Sequence, residues 1–152
     1  MAAKTSRKLD VILVLGPQNS RKGTLIRHLT GVARDRFVKL GSADDHEFEI
    51  RVIVSSVNEK VRAPNPPQWA ARLLRRARRQ NCYRIILPIR SQSPNGKPAA
   101  ERYYEALSAV GNIRIVLATG VRPSWLRRES WPVPVGPSNN RAANVRRLLR
   151  WK

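Results

Sequence analysis

A chain of 152 residues, 41% of them hydrophobic, suffices for one compact core and leaves no room for two comfortable domains, so residues 1–152 read as a single unit. Lys and Arg number 30 against 10 Asp and Glu, and a net charge of +20 far exceeds what solubility needs, so the expected partner is a polyanion, with nucleic acid (RNA or DNA) first. The one cysteine, Cys82, excludes an intramolecular disulfide and a cysteine-built zinc site, which suits the cytoplasm or another reducing intracellular compartment.

Val11–Leu15 is a continuous aliphatic run ending at Gly16, the pattern of a strand buried on both faces. It is too short for a signal h-region or a membrane span, and no membrane insertion is expected. Thr24–Gly31 follows as a short helix with Leu25 and Leu29 on one face and a glycine stop. A second strand is expected over Glu47–Val54, where Phe48, Ile50, Val52 and Val54 alternate with Glu49, Arg51 and Ile53. Asn65 then caps a helix that Pro66 opens, with Trp69, Ala70, Leu73, Leu74 and Ala77 as its apolar stripe. Tyr83–Ile89 reads as the third strand, and Cys82 as a small apolar residue at its edge. A third helix begins near Pro98 and carries Ala99, Tyr103, Leu107 and Val110 at helical spacing, with Gly111 closing it. The fourth strand is Ile113–Ala118. An irregular segment rich in Pro and Trp covers 120–140, and a basic amphipathic helix, Arg141–Trp151, follows it.

Strands alternating with helices of these lengths predict an α/β fold, a mainly parallel sheet with helices on both faces. Ligands of such sheets sit beyond the carboxyl ends of the strands, which is where Gly16–Thr24 falls.

Arginine clusters mark the other candidate surface. Arg72, Arg75, Arg76, Arg78 and Arg79 occupy the polar face of the second helix, where five cations repel one another unless anions lie nearby. Arg146, Arg147 and Arg150 on the last helix are expected to continue that patch into a stripe, while Val145, Leu148 and Leu149 dock on the sheet. Arg127 and Arg128, between Trp125 and Trp131, form an aromatic and cationic set of the kind that stacks on exposed bases, unless the tryptophans pin the loop to the core.

Gly16-Pro-Gln-Asn-Ser-Arg-Lys-Gly-Thr24 resembles the Walker A loop of nucleoside monophosphate kinases, usually G-P-x-G-x-G-K-G-T. The resemblance implies a P-loop NTPase-like fold. It also implies ATP or GTP with Mg²⁺ as ligands, and phosphate contacts from Gly16, Lys22, Gly23 and Thr24, while Arg21, which departs from the family pattern, either adds charge at the phosphates or occupies their site. Three later fragments are similar to guanylate kinase: Ser56–Pro66 to S-V-S-x-T-T-R-x-P-R-P, Leu87–Gln92 to L-D-I-D-V-Q, and Arg122–Leu126 to P-P-S-x-x-x-L. On that likeness Arg62 inherits a role on the monophosphate substrate.

The departures point away from catalysis. Asn19 and Arg21 replace glycines of the loop, Pro88 and Arg90 stand where the family carries carboxylates, and Gln68–Ile86 leaves no room for the family's monophosphate-binding insertion. The leading expectation is therefore a nucleic-acid-associated protein on a degenerate P-loop kinase-like scaffold, a pseudoenzyme in a ribonucleoprotein or DNA-handling assembly. Two alternatives stand beside it. One is an active nucleotide-dependent phosphotransferase or NTPase with Asp44 or Asp45 helping to hold Mg²⁺; the other is an interaction module for an acidic or phosphorylated partner.

Overall fold

The computed structural model describes residues 7–18, 20–60, 62–92, 98–119, 122–126, 132–133 and 138–152. Its elements in order are β1 (Leu9–Gly16), α1 (Lys22–Thr30), β2 (Arg36–Gly41), β3 (Glu47–Val52), a 3₁₀ turn (Val57–Glu59), α2 (Pro66–Gln80), β4 (Arg84–Arg90), α3 (Ala100–Val110), β5 (Gly111–Leu117), β6 (Pro132–Val133) and α4 (Ser138–Leu149). Among the described residues six strands form one sheet in the order β2-β3-β4-β1-β5-β6, parallel except for the antiparallel β2–β3 pair. This is an α/β fold.

The uninterrupted apolar run of β1 has the consequence its composition dictates, since it lies between β4 and β5 and both its faces are covered. Val11, Leu13 and Leu15 pack with Trp69 and Leu73 of α2 and Tyr103 and Leu107 of α3. Ile12 and Val14 pack with Leu25, Ile26 and Leu29 of α1 and Val145 and Leu149 of α4 on the other face. The chain leaves β1 toward β4 on one side and reaches β5 on the other, so the crevice beyond the carboxyl end of β1 lies at a change of strand order.

Several expectations need correction. Arg36–Gly41 is a strand, β2, that no sequence signal singled out, because its half-exposed side chains carry no clean alternation. It owes its form to pairing with β3, Phe37 opposite Arg51 and Val38 opposite Ile50. Within the segment read as irregular, Pro132–Val133 adds a short parallel edge to β5, and α4 begins at Ser138. α4 ends at Leu149, so Trp151 is not helical; it bridges to Ser42 and packs its ring against Phe48 at 5.5 Å. Leu148 is 50% exposed, leaving Val145 and Leu149 to dock. Gly111 is no left-handed helix stop either: its φ of −166° makes it the first residue of β5, packed so closely on Leu9 that a β-carbon would lie 2.5 Å from the Leu9 carbonyl oxygen. Helix α1 opens at Lys22, two residues earlier than expected.

Candidate functional site

The turn after β1 folds around one backbone oxygen. The Pro17 carbonyl accepts the Ser20 N–H at 3.2 Å and the Lys22 ammonium at 3.0 Å. Lys22 is only 6% exposed, and its Nζ also lies 3.3 Å from Oε1 of Glu59 on the 3₁₀ turn. Burial pushes the Lys22 pKa below the ordinary lysine value, Glu59 counteracts that by ion pairing and hydrogen bonding, and nearby Arg90 adds to the lowering. The lysine that the loop resemblance assigns to phosphates is thus held by a protein carbonyl and a carboxylate.

The position before Lys22, where the resemblance would put a glycine, has a backbone shape that suits glycine. Arg21 sits at φ 62°, ψ 38°, a left-handed conformation that costs a residue with a β-carbon about 1 kcal/mol, and its carbonyl accepts the Leu25 N–H at 3.0 Å to start α1. Gly16, by contrast, is required by space, because a methyl there would meet Ser20 Oγ and lie 2.8 Å from the Ala118 β-carbon. Arg21, Lys22 and Gly23 line an open cavity of about 570 Å³ together with Ser55, Ser56, Glu59 and Lys60. Thr24, half-buried on the first turn of α1, and Arg62, exposed after the 3₁₀ turn, do not line it.

Asn58 fixes the position of Glu59. Its fully buried side chain pairs with the end of β4, donating to the Arg90 carbonyl at 2.8 Å and accepting the Arg90 N–H at 3.0 Å. Arg90 itself lies opposite Gly16 across the β1–β4 ladder, and its Nε is buried without a hydrogen-bond partner among the described residues. A guanidinium therefore stands where the resemblance leads one to look for a carboxylate.

Asp44, Asp45 and Glu47 are not at this end of the sheet. They precede β3, which runs parallel to β4 and β1, and β3 spans roughly 20 Å between them and the loop. Asp44 pairs with Arg150 at 3.4 Å and Asp45 with Lys152 at 2.5 Å, so the metal-holding role considered for Asp44 or Asp45 is lost to distance. No group of three or more His, Cys, Asp and Glu able to hold a metal occurs among the described residues. His28 and His46 are exposed, and Cys82 is buried, its thiol pKa raised by burial and by Glu49.

A cavity of about 780 Å³ runs along the flank of α2. Arg51 of β3, Lys60 and Arg72, Arg75, Arg76, Arg78 and Arg79 of α2 surround it, and Asp35 is the one acidic residue among the described residues lining it. The helix has a defined start, where Asn65 accepts the Gln68 N–H at 3.2 Å and Pro66 opens the first turn. Trp69, Leu73 and Ala77 are buried on the sheet, and that sets the arginines along the side facing the β2–β3 ribbon. Trp69 meets Tyr103 edge-on at 5.3 Å, as a core residue would. Ser55 and Lys60 line both this cleft and the cavity at Lys22, so the two adjoin.

Sequence reasoning missed Arg51 and Lys60, because each joins the cluster only through the fold. It also drew the arginine stripe wrongly. α4 packs on the α1 face of the sheet, away from α2, so Arg146, Arg147 and Arg150 do not extend the cleft. Arg146 donates to the His28 carbonyl at the end of α1, Arg147 reaches Asn144 at 3.4 Å, and Arg150 pairs with Asp44. Arg127, Arg128 and Trp131 lie outside the described residues, while Trp125 is half-buried against Tyr104 at 5.5 Å.

Fold and site together define an α/β protein with a self-occupied loop at the end of its first strand and an arginine-walled cleft beside it. No known family model, no curated protein and no solved structure matches the chain. No described helix is long and apolar enough to cross a membrane.

Proposed function

We propose that this protein binds nucleic acid through the cleft between α2 and β3, on a P-loop kinase-like scaffold whose nucleotide chemistry has been given up, and that it serves within a larger ribonucleoprotein or DNA-handling assembly. The observation that carries the reading is the cleft itself, where Arg51, Lys60 and five arginines of α2 converge on a cavity of about 780 Å³ with Asp35 as the only lining acid among the described residues. Such a wall attracts phosphates, and each phosphate neutralised releases a condensed counterion. The state of the phosphate loop supports the second half of the reading. Lys22 is engaged by Pro17 and Glu59, and Arg90, opposite Gly16, puts a cation where the kinase resemblance would call for a metal-binding acid.

The test is a fluorescence-anisotropy titration of a labelled single strand at several salt concentrations, with native protein and with Arg72, Arg75, Arg76 and Arg79 changed to Gln. The dependence of log K on log salt should flatten by about 0.7 for each phosphate that the variant no longer neutralises. An unchanged slope removes α2 from the interface. Calorimetric titration with ATP and GTP, with and without Mg²⁺, beside Lys22→Ala addresses the loop. Micromolar binding that disappears in the variant would restore the enzyme reading.

A further inference from the structure

Cations alone would make a track for a phosphate backbone, but the α2 cleft also has a floor. Beneath the arginines lie Ile53, Val57, Leu73, Leu87 and Pro88, so a ligand entering the cleft meets apolar atoms below and guanidinium groups at the sides. A backbone phosphate gains nothing from such a floor, whereas a flat heterocycle buries area on it. Two of the lining cations are also set unlike the rest. Arg51, half-buried on β3, and Arg76, exposed on α2, hold their guanidinium carbons 5.9 and 5.8 Å from the Phe37 ring centroid. Burial and, next, the charge of Arg76 weaken Arg51's hold on its proton, the expected result of two like charges facing one cavity. Asp35 opposes them, but one of its oxygens already accepts the Val54 N–H at 2.9 Å.

Resting on the nucleic-acid reading above, we propose that the cleft receives one nucleotide unit, its phosphate between Arg51 and Arg76 and its base on the Ile53, Val57 and Leu73 floor. The cavity volume is in the range that encloses a ligand of this size. The site lies on the flank of α2 and is separate in chemistry from the loop at Lys22, although Ser55 and Lys60 border both. An unpaired base can enter it and a base stacked in a duplex cannot, so single strands are the preferred form of the ligand.

The native protein decides the matter by competition. A labelled single-stranded 12-mer is displaced by an unlabelled strand, by an abasic strand of equal length, and by a mononucleoside monophosphate. The abasic strand, with the same phosphates and no bases, should compete at least about 10-fold less well than the base-bearing strand, consistent with the energy of base stacking. Equal competition overturns the inference while leaving polyanion binding intact, and failure of the labelled strand to bind overturns both. Strong competition by the mononucleotide identifies a free nucleotide as the source of the unit; weak competition identifies a strand. Arg76→Gln, on an exposed position that leaves the fold untouched, and Arg51→Gln place the site. Because base-bearing and abasic strands share the phosphate these guanidiniums hold, both strands should bind either variant more weakly, and unaltered affinity for both would move the phosphate elsewhere and overturn the proposal.

Discussion

Asn58 and Arg90 are joined by two hydrogen bonds, Nδ2 to carbonyl at 2.8 Å and backbone N–H to Oδ1 at 3.0 Å, so that one side chain takes the part of a strand at the end of β4. The pair ties the 3₁₀ turn, and with it Glu59 and Lys60, to the sheet. Asn58→Ala leaves a buried backbone donor and acceptor without partners and is expected to cost about 2–3 kcal/mol. Because Lys60 borders the cleft, the same variant should weaken strand binding; denaturant unfolding and anisotropy measured on one preparation check both effects.

Lys22 and Glu59 form an unequal pair, the lysine buried and the glutamate side chain 35% exposed. Glu59→Gln strands a buried ammonium, whereas Lys22→Met leaves a carboxylate that can turn to solvent. The first change is expected to lower stability by about 1–2 kcal/mol, below the range for a fully buried pair because Glu59 is screened, and the second by less. Since the folded pKa of Lys22 is depressed, the unfolded state binds more protons between that value and 10.5, and stability attributable to this residue rises with pH across the interval. Lys22→Met should remove that rise in pH-dependent urea melts.

Arg21 and Gly16 should respond oppositely to exchange between glycine and a residue with a β-carbon. Arg21→Gly relieves the left-handed strain at φ 62° and is expected to raise stability by up to about 0.5 kcal/mol after the entropy that glycine adds to the unfolded chain. Gly16→Ala drives a methyl into Ser20 and Ala118 and should cost about 1–3 kcal/mol. Thermal melting of the two variants beside the native protein gives both signs.

Tyr103 is buried where α3 meets α2, and its hydroxyl donates to the Pro64 carbonyl at 2.6 Å. Burial raises its pKa above 10.0, only partly offset by Arg102, so the folded state holds the phenolic proton that the unfolded state releases. Stability from this group is whole below pH 10 and is lost as pH rises through the interval above it. Tyr103→Phe should cost about 1 kcal/mol at neutral pH by removing the hydrogen bond, and it should flatten the alkaline decline. Urea unfolding of native and variant protein across that interval provides the comparison.

What could be read in the one-dimensional pattern was local. The aliphatic run of β1, the Asn65 cap and Pro66 start of α2, and the stripe of Trp69, Leu73 and Ala77 each carry a signal within a few residues, and each element lies where that signal puts it. The clustering of charge on α2 was equally visible, because helical periodicity alone sets five arginines on one face. Tertiary structure decided what no neighbour in sequence encodes. β2 exists through its pairing with β3, Arg51 and Lys60 join the α2 arginines across 12 residues or more, and Arg146 was drawn away from the cleft because Val145 and Leu149 dock α4 on the opposite face. The loop at Lys22 shows the same division. Its glycines and lysine were legible, but Glu59 and the Pro17 carbonyl could be recognised as the lysine's partners only once the chain had brought them within 3.3 and 3.0 Å. Local propensity acts through bonds and periodicity along the chain, whereas charge pairing and burial act through space and depend on the whole fold.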